Sequence, residues 1–184
     1  SNNDAFGYRA LTTNTTGTNN TALGRDAMYA NTTGSRNVAV GYGTLDANTT
    51  ADYNVAIGEN AMTANTTGTE NVAVGALSLD AQTTSSYNVA IGHNAGGANT
   101  ADHNTFVGRY AGAANTTGAN NVVVGSGAFA SNTTGSENVS VGKGSLNANT
   151  TGAQNTAVGR DAGLVNTTGG YNTVVGAYAL DANT

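Results

Sequence analysis

The chain has 184 residues, a formal net charge of −5 and no cysteine, and only 9% of its residues are charged. The low charge argues against electrostatic disorder, and the acidic balance argues against nucleic acid and anionic lipid as partners, because both need clustered Lys and Arg. Without cysteine the chain forms no disulfides and no thiolate metal sites, and no apolar run approaches the ~18 residues of a transmembrane helix.

An internal repeat organises the sequence. An Asn followed four residues later by Gly recurs eleven times, first at Asn3 and last at Asn172. The period is 17 residues, except between Asn88 and Asn104, where it is 16. The missing residue falls near 99–101, which predicts a surface turn there, because turns absorb length changes that packed strands do not.

Each repeat, called a coil below, is numbered from this Asn as position 1. It reads Asn, Val or Thr, Ala, Val or Ile, Gly, two variable residues, Ala or Ser, Leu, a variable residue, Ala, Asn, Thr, Thr, Gly and two variable residues. Positions 2 and 4 share one face of a strand. Position 4 is apolar in all eleven coils and mostly β-branched, which predicts a buried ladder of Val and Ile.

Position 9 is mostly Leu or Met and predicts a second buried ladder. It becomes Gly at Gly96, Gly112 and Gly163. At the last of these, Leu164 and Val165 are candidates to replace the lost volume.

These columns predict an all-β fold, a parallel β-solenoid (β-roll) of eleven coils with two short strands per coil, at positions 1–5 and 8–12. Gly at positions 5 and 15 is predicted to form the corners. The period is shorter than the ~33 residues of helical repeats, and the alternating apolar pattern argues against low-complexity disorder. No linker interrupts the coils, so residues 1–184 are predicted to be a single solenoid domain, a segment of a longer fibre.

Stacked coils place the Asn residues of positions 1 and 12 in two columns, and each column is expected to form an amide ladder. Asn-Thr-Thr also matches the N-glycosylation acceptor pattern, but its repetition favours turn stabilisation as the explanation. The ladder residues include Asn37, Asn54, Asn71 and Asn88 at position 1, and Asn48, Asn65, Asn115 and Asn132 at position 12.

Ala at position 3 is predicted to lie on the outside, because positions 2 and 4 are assigned to the interior. An exposed strip of small apolar residues usually marks an interface. The strip predicts a homo-oligomer, in which a bulky residue at Ala73 or Ala90 would separate the copies.

The variable positions 6 and 7 carry aromatic and basic residues, the types enriched in binding surfaces. They predict a surface-binding ridge along one corner of the rod, although corners also simply tolerate polar residues. The ridge residues are Tyr8, Arg25, Tyr42, His93, Arg109, Tyr110, Arg160 and Tyr178.

The sequence offers no catalytic, cofactor-binding or metal-binding residues and predicts no cofactor, so an enzyme is not expected. The two His residues lie ten residues apart without a shared Ser and Asp column, and Asp does not recur as in calcium-binding repeats.

The segments Asn37–Gly41, Asn54–Gly58 and Asn88–Gly92 resemble the head repeats of trimeric autotransporter adhesins, and 155–169 resembles repeats of bacteriophage tail fibres and related bacterial surface proteins. The resemblance covers the whole chain. It implies a parallel β-roll, left-handed in the adhesin heads, assembled as a trimer. The adhesin-head coil is shorter than 17 residues, which leaves the second strand and the trimer packing open.

Repeat and resemblance together predict a structural and adhesive segment of an extracellular fibre, either a virion tail fibre or a bacterial surface adhesin. Its expected partners are further copies of itself, with a trimer favoured, and a polysaccharide or protein on a host cell; neither nucleic acid nor membrane insertion is expected. Two alternatives are an ice-binding solenoid that uses ranks of Thr and Asn, and a subunit of a self-assembling extracellular filament.

Overall fold

The computed structural model describes residues 2–181 and contains one three-residue strand in each coil. All strands lie in one parallel sheet, in the order of the sequence. Neighbouring strands pair in a constant register, for example Val55 with Val72 and Ile57 with Val74. The predicted all-β parallel solenoid is therefore confirmed. The strands are β1 Asp4–Phe6, β2 Thr21–Leu23, β3 Val38–Val40, β4 Val55–Ile57, β5 Val72–Val74, β6 Val89–Ile91, β7 Thr105–Val107, β8 Val122–Val124, β9 Val139–Val141, β10 Thr156–Val158 and β11 Thr173–Val175.

The predicted second strand of each coil, at positions 8–12, is wrong. This segment forms tight turns, in which positions 7 and 9 adopt left-handed backbone angles, as at Asn60 (φ 53°) and Met62 (φ 52°). The N–H of Met62 still donates to the carbonyl of Ser78 in the next coil (3.0 Å), while the N–H of Asn65 turns back to the carbonyl of Met62 (3.1 Å). Because residues with left-handed backbone angles alternate here with residues in other conformations, the segment cannot form an extended strand.

The left-handed angle at position 9 is unusual because the residue there is bulky. Leu45, Met62 and Leu79 all have φ near 50°. Such a conformation costs about 1–3 kcal/mol for a non-glycine residue. Their side chains are fully buried, and burial of a Leu or Met side chain contributes about 1.5–3 kcal/mol, which offsets the strain.

The inside and outside of the sheet are reversed relative to the prediction. Ala73 and Ala90 at position 3 are fully buried, whereas Val74 at position 4 is only half-buried and Ile57 is 39% exposed. The interior is narrow because Leu or Met from position 9 fills it, so only a small residue fits opposite. Ala73 and Ala90 thus belong to the core and are not an interface between copies.

The position-9 ladder is buried as predicted, except for Leu180 in the last coil, and its gaps are filled from across the coil. Phe106 replaces Ala at position 3, is fully buried, and has its ring against both Gly96 and Gly112. At Gly163 the neighbours are Leu146 and Val174, while Leu164 and Val165 are only partly buried, so the predicted role of the latter two is wrong.

The glycine at position 5 turns the chain out of each strand, as predicted. Gly58 has φ +132°, and a β-carbon there would lie 2.6 Å from the carbonyl carbon of Gly75 in the next coil. Only glycine accommodates both the backbone angle and this close approach. The 16-residue coil is shortened between Asn99 and Asn104, at the exposed residues Thr100 and Asp102, which confirms that the missing residue lies in a surface turn.

Candidate functional site: the faces of the rod

The Asn side chains at position 1 form a continuous hydrogen-bonded column inside the rod. Asn54 donates its backbone N–H to Oδ1 of Asn37 (2.9 Å) and its amide to the carbonyl of Gly68 (2.8 Å). Asn71 repeats the pattern on Oδ1 of Asn54, and Asn88 on Oδ1 of Asn71. These side chains are fully buried, so they stabilise the turn before the strand and contact no external ligand.

In the position-12 column, side-chain amides hydrogen-bond directly to one another from coil to coil. Asn48 donates Nδ2 to Oδ1 of Asn31 (2.8 Å), and Asn65 donates to Oδ1 of Asn48 (3.1 Å). Asn132 donates in the same way to Asn115. All of these residues are fully buried, so a glycan on such an Asn is incompatible with the folded coil.

The outer face of the sheet is a regular apolar surface. In β2 to β11 the residues at positions 2 and 4 point away from the core and the burial of the strand residues alternates, as in Val55–Ile57, whereas all three residues of the terminal strand β1 are exposed. Ile57 and Ile91 are 39% and 42% exposed, and Val124 is 37% exposed. Eleven strands at about 4.8 Å make this face roughly 50 Å long.

The predicted ridge is brought together only in part. Position 6 is exposed in most coils, and neighbouring corners are linked, for example by the N–H of Tyr110 to the carbonyl of His93 (3.0 Å). Glu59 and Ala76 interrupt the aromatic and basic residues. The ridge residues form three separate patches: Tyr8, Arg25 and Tyr42; His93, Arg109 and Tyr110; Arg160 and Tyr178.

The first patch has a charged centre that was missed from the sequence. Arg25 lies 5.8 Å from the ring centre of Tyr8 and 5.6 Å from that of Tyr42. Asp26 accepts hydrogen bonds from Nε of Arg9 (2.7 Å) and of Arg25 (3.2 Å). The hydrogen bond from Arg9 lowers the pKa of Asp26, and the carboxylate fixes both guanidinium groups beside the rings.

The second patch combines a cation with two rings. The guanidinium carbon of Arg109 lies 4.5 Å from the ring centre of Tyr110, and the His93 ring meets Tyr110 edge-on, with 5.3 Å between ring centres. Within residues 2–181 no carboxylate forms an ion pair with Arg109. Its guanidinium therefore keeps hydrogen-bond donors for an external acceptor.

A second surface column, at position 17, was also missed. Arg36 lies over the Tyr53 ring and donates a hydrogen bond from Nη1 to its hydroxyl. Tyr87 stacks on His103. The signal was present in the sequence, since Tyr and Arg recur at this position, but only the fold shows that the column borders the outer sheet face.

The Thr ranks of the ice-binding alternative are partly used by the rod itself. The position-13 hydroxyls donate to the next coil, as Thr66 does to the carbonyl of Thr83 (3.0 Å). The position-12 amides are buried, which removes Asn from any such surface. The position-14 row remains exposed, as at Thr33, Thr50 and Thr67.

The part of the chain that the structure describes contains no group of three or more His, Asp or Glu residues placed to hold a metal ion. In the same residues no helix has the length and apolarity needed to span a bilayer. Comparisons of the chain with protein-family models, with curated proteins and with solved structures find no match.

Proposed function

We propose that the chain is a structural and adhesive segment of an extracellular fibre, of the kind found in phage tail fibres or bacterial surface adhesins. The observation that carries the proposal is the apolar outer face of the sheet, which no other part of residues 2–181 covers. Parallel sheets usually have both faces covered. A rod whose long face is exposed Val, Ile and Thr is suited to packing against further rods.

The proposed assembly is a homo-oligomer that packs through this outer face, in place of the Ala strip, which lies in the core. Each coil contributes the same two side-chain positions, so the contact continues along the rod without a change of register. Three copies is the number that the sequence resemblance implies. The corners at positions 6 and 7 lie beyond the strands and stay accessible in such a bundle.

The proposed host contact uses the three corner patches. Aromatic rings beside guanidinium groups suit a polysaccharide or a polar protein surface, because the ring offers an apolar face and Arg offers fixed donors. A single exposed contact contributes about 1 kcal/mol. The patches are repeated in every copy of the oligomer. Linked weak sites of this kind raise the overall affinity by about 10²-fold or more.

Sedimentation equilibrium tests the assembly. The unmodified segment should sediment as an oligomer, with three copies favoured. A double variant, Ile57→Lys with Ile91→Lys, should sediment as a folded monomer, because it places two charges in the apolar contact. The matched control, Ala76→Lys with Ser126→Lys at position 6, should remain oligomeric. A monomeric unmodified segment would overturn the assembly.

Adsorption tests the adhesive part. Intact fibres carrying Tyr42→Ser, Arg109→Ser and Tyr110→Ser should adsorb less to host cells than unmodified fibres. The control carries Thr33→Ser, Thr50→Ser and Thr67→Ser on another exposed face. Equal adsorption by the two variants would restrict the segment to the role of a spacer.

A further inference from the structure

We propose that Tyr53, Glu70 and Tyr87 form a binding site for a quaternary ammonium group, such as that of choline. These three residues occupy position 17 in three successive coils, beside the outer sheet face. The inference does not depend on the fibre function and concerns the unassembled rod, because Val72 beside the site belongs to the outer face that the proposed assembly covers.

Each tyrosine ring has a neighbour in the adjacent coil of the same column. The guanidinium carbon of Arg36 is 5.0 Å from the ring centre of Tyr53. The rings of Tyr87 and His103 are stacked at 4.9 Å with only 3° between their planes. Both distances match the rise of about 4.8 Å from one coil to the next, so each ring has its neighbour in the adjacent coil, and the Tyr87 ring is stacked along the axis.

One face of each ring is already covered, and the other is not. Arg36 belongs to the coil before Tyr53, and His103 to the coil after Tyr87. The remaining faces are directed towards the coil between them, which carries Glu70. The two tyrosines therefore form opposite walls with an acidic residue between them.

The spacing of the walls suits an organic cation. The coils are in register here, because the N–H of Glu70 donates to the carbonyl of Asp52 and that of Tyr87 to the carbonyl of Thr69, each at 3.2 Å. Two coil steps place the rings about 10 Å apart. A cation at the level of Glu70 is then about 5 Å from each ring, inside the ~6 Å over which cation–π attraction operates.

Charge and shape support the same ligand. The Glu70 side chain is exposed, and within residues 2–181 its carboxylate forms no ion pair and no side-chain hydrogen bond, whereas Asp26 is paired with two arginines. A depression of about 480 Å³ opens beside it, lined by Tyr53, Glu70 and Val72. Val72 supplies an apolar contact for methyl groups.

A quaternary ammonium fits this site better than a lysine ammonium or a metal ion. A primary ammonium is compact and strongly hydrated, so it loses more on leaving water than a methylated one. A metal ion needs several ligands, and this site has one carboxylate. Methyl groups that carry a delocalised positive charge match two ring faces and a valine.

The test is an NMR titration of the intact segment with choline chloride, at constant ionic strength and at a protein concentration below that of assembly. Saturable shifts are expected at Tyr53, Glu70 and Tyr87, with a Kd on the order of 1 mM. Glu70→Gln and Tyr53→Leu should each weaken binding about 5-fold or more, and Tyr53→Phe should retain it. The matched control is Glu59→Gln, an exposed glutamate at position 6, which should bind as the unmodified segment does.

Two results would overturn the site. One is equal binding of 3,3-dimethylbutan-1-ol, which has the shape of choline without its charge. The other is unchanged choline affinity in both Glu70→Gln and Tyr53→Leu, with thermal melts showing that the variants are folded. Cosedimentation with phosphatidylcholine vesicles then separates a membrane source of the choline group from a soluble or glycan-borne source, for which phosphocholine is the probe.

Discussion

The ring of Phe106 occupies the space that a side chain at residue 96 would need: a β-carbon on Gly96 would lie 2.6 Å from Cδ2 of Phe106. The two residues belong to neighbouring coils and to different columns, position 3 and position 9. In other coils the small residue is at position 3 and the large residue is at position 9. Ala73 and Leu79, which share a coil, are an example, and both are buried. The interior thus keeps its volume while the large residue changes sides.

This exchange predicts strong coupling between the two positions. Phe106→Ala should lower the free energy of unfolding by about 3–5 kcal/mol, because it leaves a cavity. Gly96→Leu should also destabilise the fold, because its side chain meets Phe106 and its backbone has φ +58°. The double variant should be more stable than the sum of the two effects by about 1–3 kcal/mol.

Urea denaturation followed by circular dichroism measures all three variants of this cycle. Ala81→Leu, on an exposed site, is the size-matched control and should change little. Strict additivity would contradict the packing of Phe106 against Gly96.

The reversal of inside and outside predicts opposite behaviour of two adjacent residues. Ala73→Asp should prevent folding, because it buries a charge without a partner, which costs several kcal/mol or more. Val74→Asp, at a position that the sequence predicted to be buried, should instead give a folded coil, because Val74 is half-buried on the outer face. Circular dichroism of both variants at a concentration below that of assembly makes the comparison.

Equal loss of structure in these two variants would restore the original assignment of position 4 to the core. Loss of assembly without loss of structure in Val74→Asp is the expected result, since the charge lies in the proposed contact between copies.

The hydrogen bonds of the position-12 column predict that the stability of the fold requires a side-chain donor at this position. Asn65 donates Nδ2 to Oδ1 of Asn48 and to the carbonyl of Gly68 (3.0 Å). Asn65→Asp keeps the shape but faces two acceptors with a charge, so it should destabilise the fold by about 3 kcal/mol or more at pH 7. Asn65→Gln should be milder, because Gln82 occupies the equivalent place.

Thermal unfolding measures these variants, and Thr67→Ala on the exposed rank is the control. If Asn65→Asp melts at the temperature of the unmodified protein, the amide column does not contribute to stability.

The carboxylate at position 10 predicts that its replacement by an amide increases stability in a pH-dependent way. Burial raises the pKa of Asp80, so its ionised form is disfavoured in the fold. Asn147 occupies the same position in another coil and donates to the carbonyl of Gly127 (2.7 Å). Asp80→Asn should therefore raise the free energy of unfolding at pH 7, by less than about 1 kcal/mol because the site is partly exposed.

The sign of the pH effect follows from the raised pKa. The penalty of the Asp80 charge is absent below the ordinary Asp pKa of about 4 and grows as the pH rises through the folded value. The difference between Asp80→Asn and the unmodified protein should thus close at about pH 3. Asp52→Asn is the control, because Asp52 accepts a hydrogen bond from the N–H of Ser35 (2.6 Å) and should show no such gain.

The period and the Gly, Asn and Leu columns were enough to predict the solenoid, because stacking identical coils leaves few other folds. The direction of each side chain was not predictable in the same way. Alternation along Val72–Val74 shows that Ala73 opposes the two valines, but not which side faces the core. That choice depends on the space left by Leu79, which enters from a left-handed turn that its residue type does not favour.

The surface patches were less predictable than the core. Arg25 and Tyr42 share a column and were found from the sequence, but Asp26 and Arg9 act at the next position, and their ion pair depends on the stacking of two coils. From the sequence, Tyr53 and Glu70 could be recognised only as residues at a variable position of the repeat. Their significance depends on the neighbours that stacking places beside them in the adjacent coils, which only the folded rod provides.

The Asn columns give the rod a direction. At each junction between coils the later Asn donates and the earlier one accepts, as when Asn54 donates to Asn37 and Asn71 to Asn54. The position-12 column points the same way, from Asn65 to Asn48. Reversing one coil would place oxygen against oxygen in both columns. Coils therefore join only head to tail, and a fibre built from them has two chemically different ends.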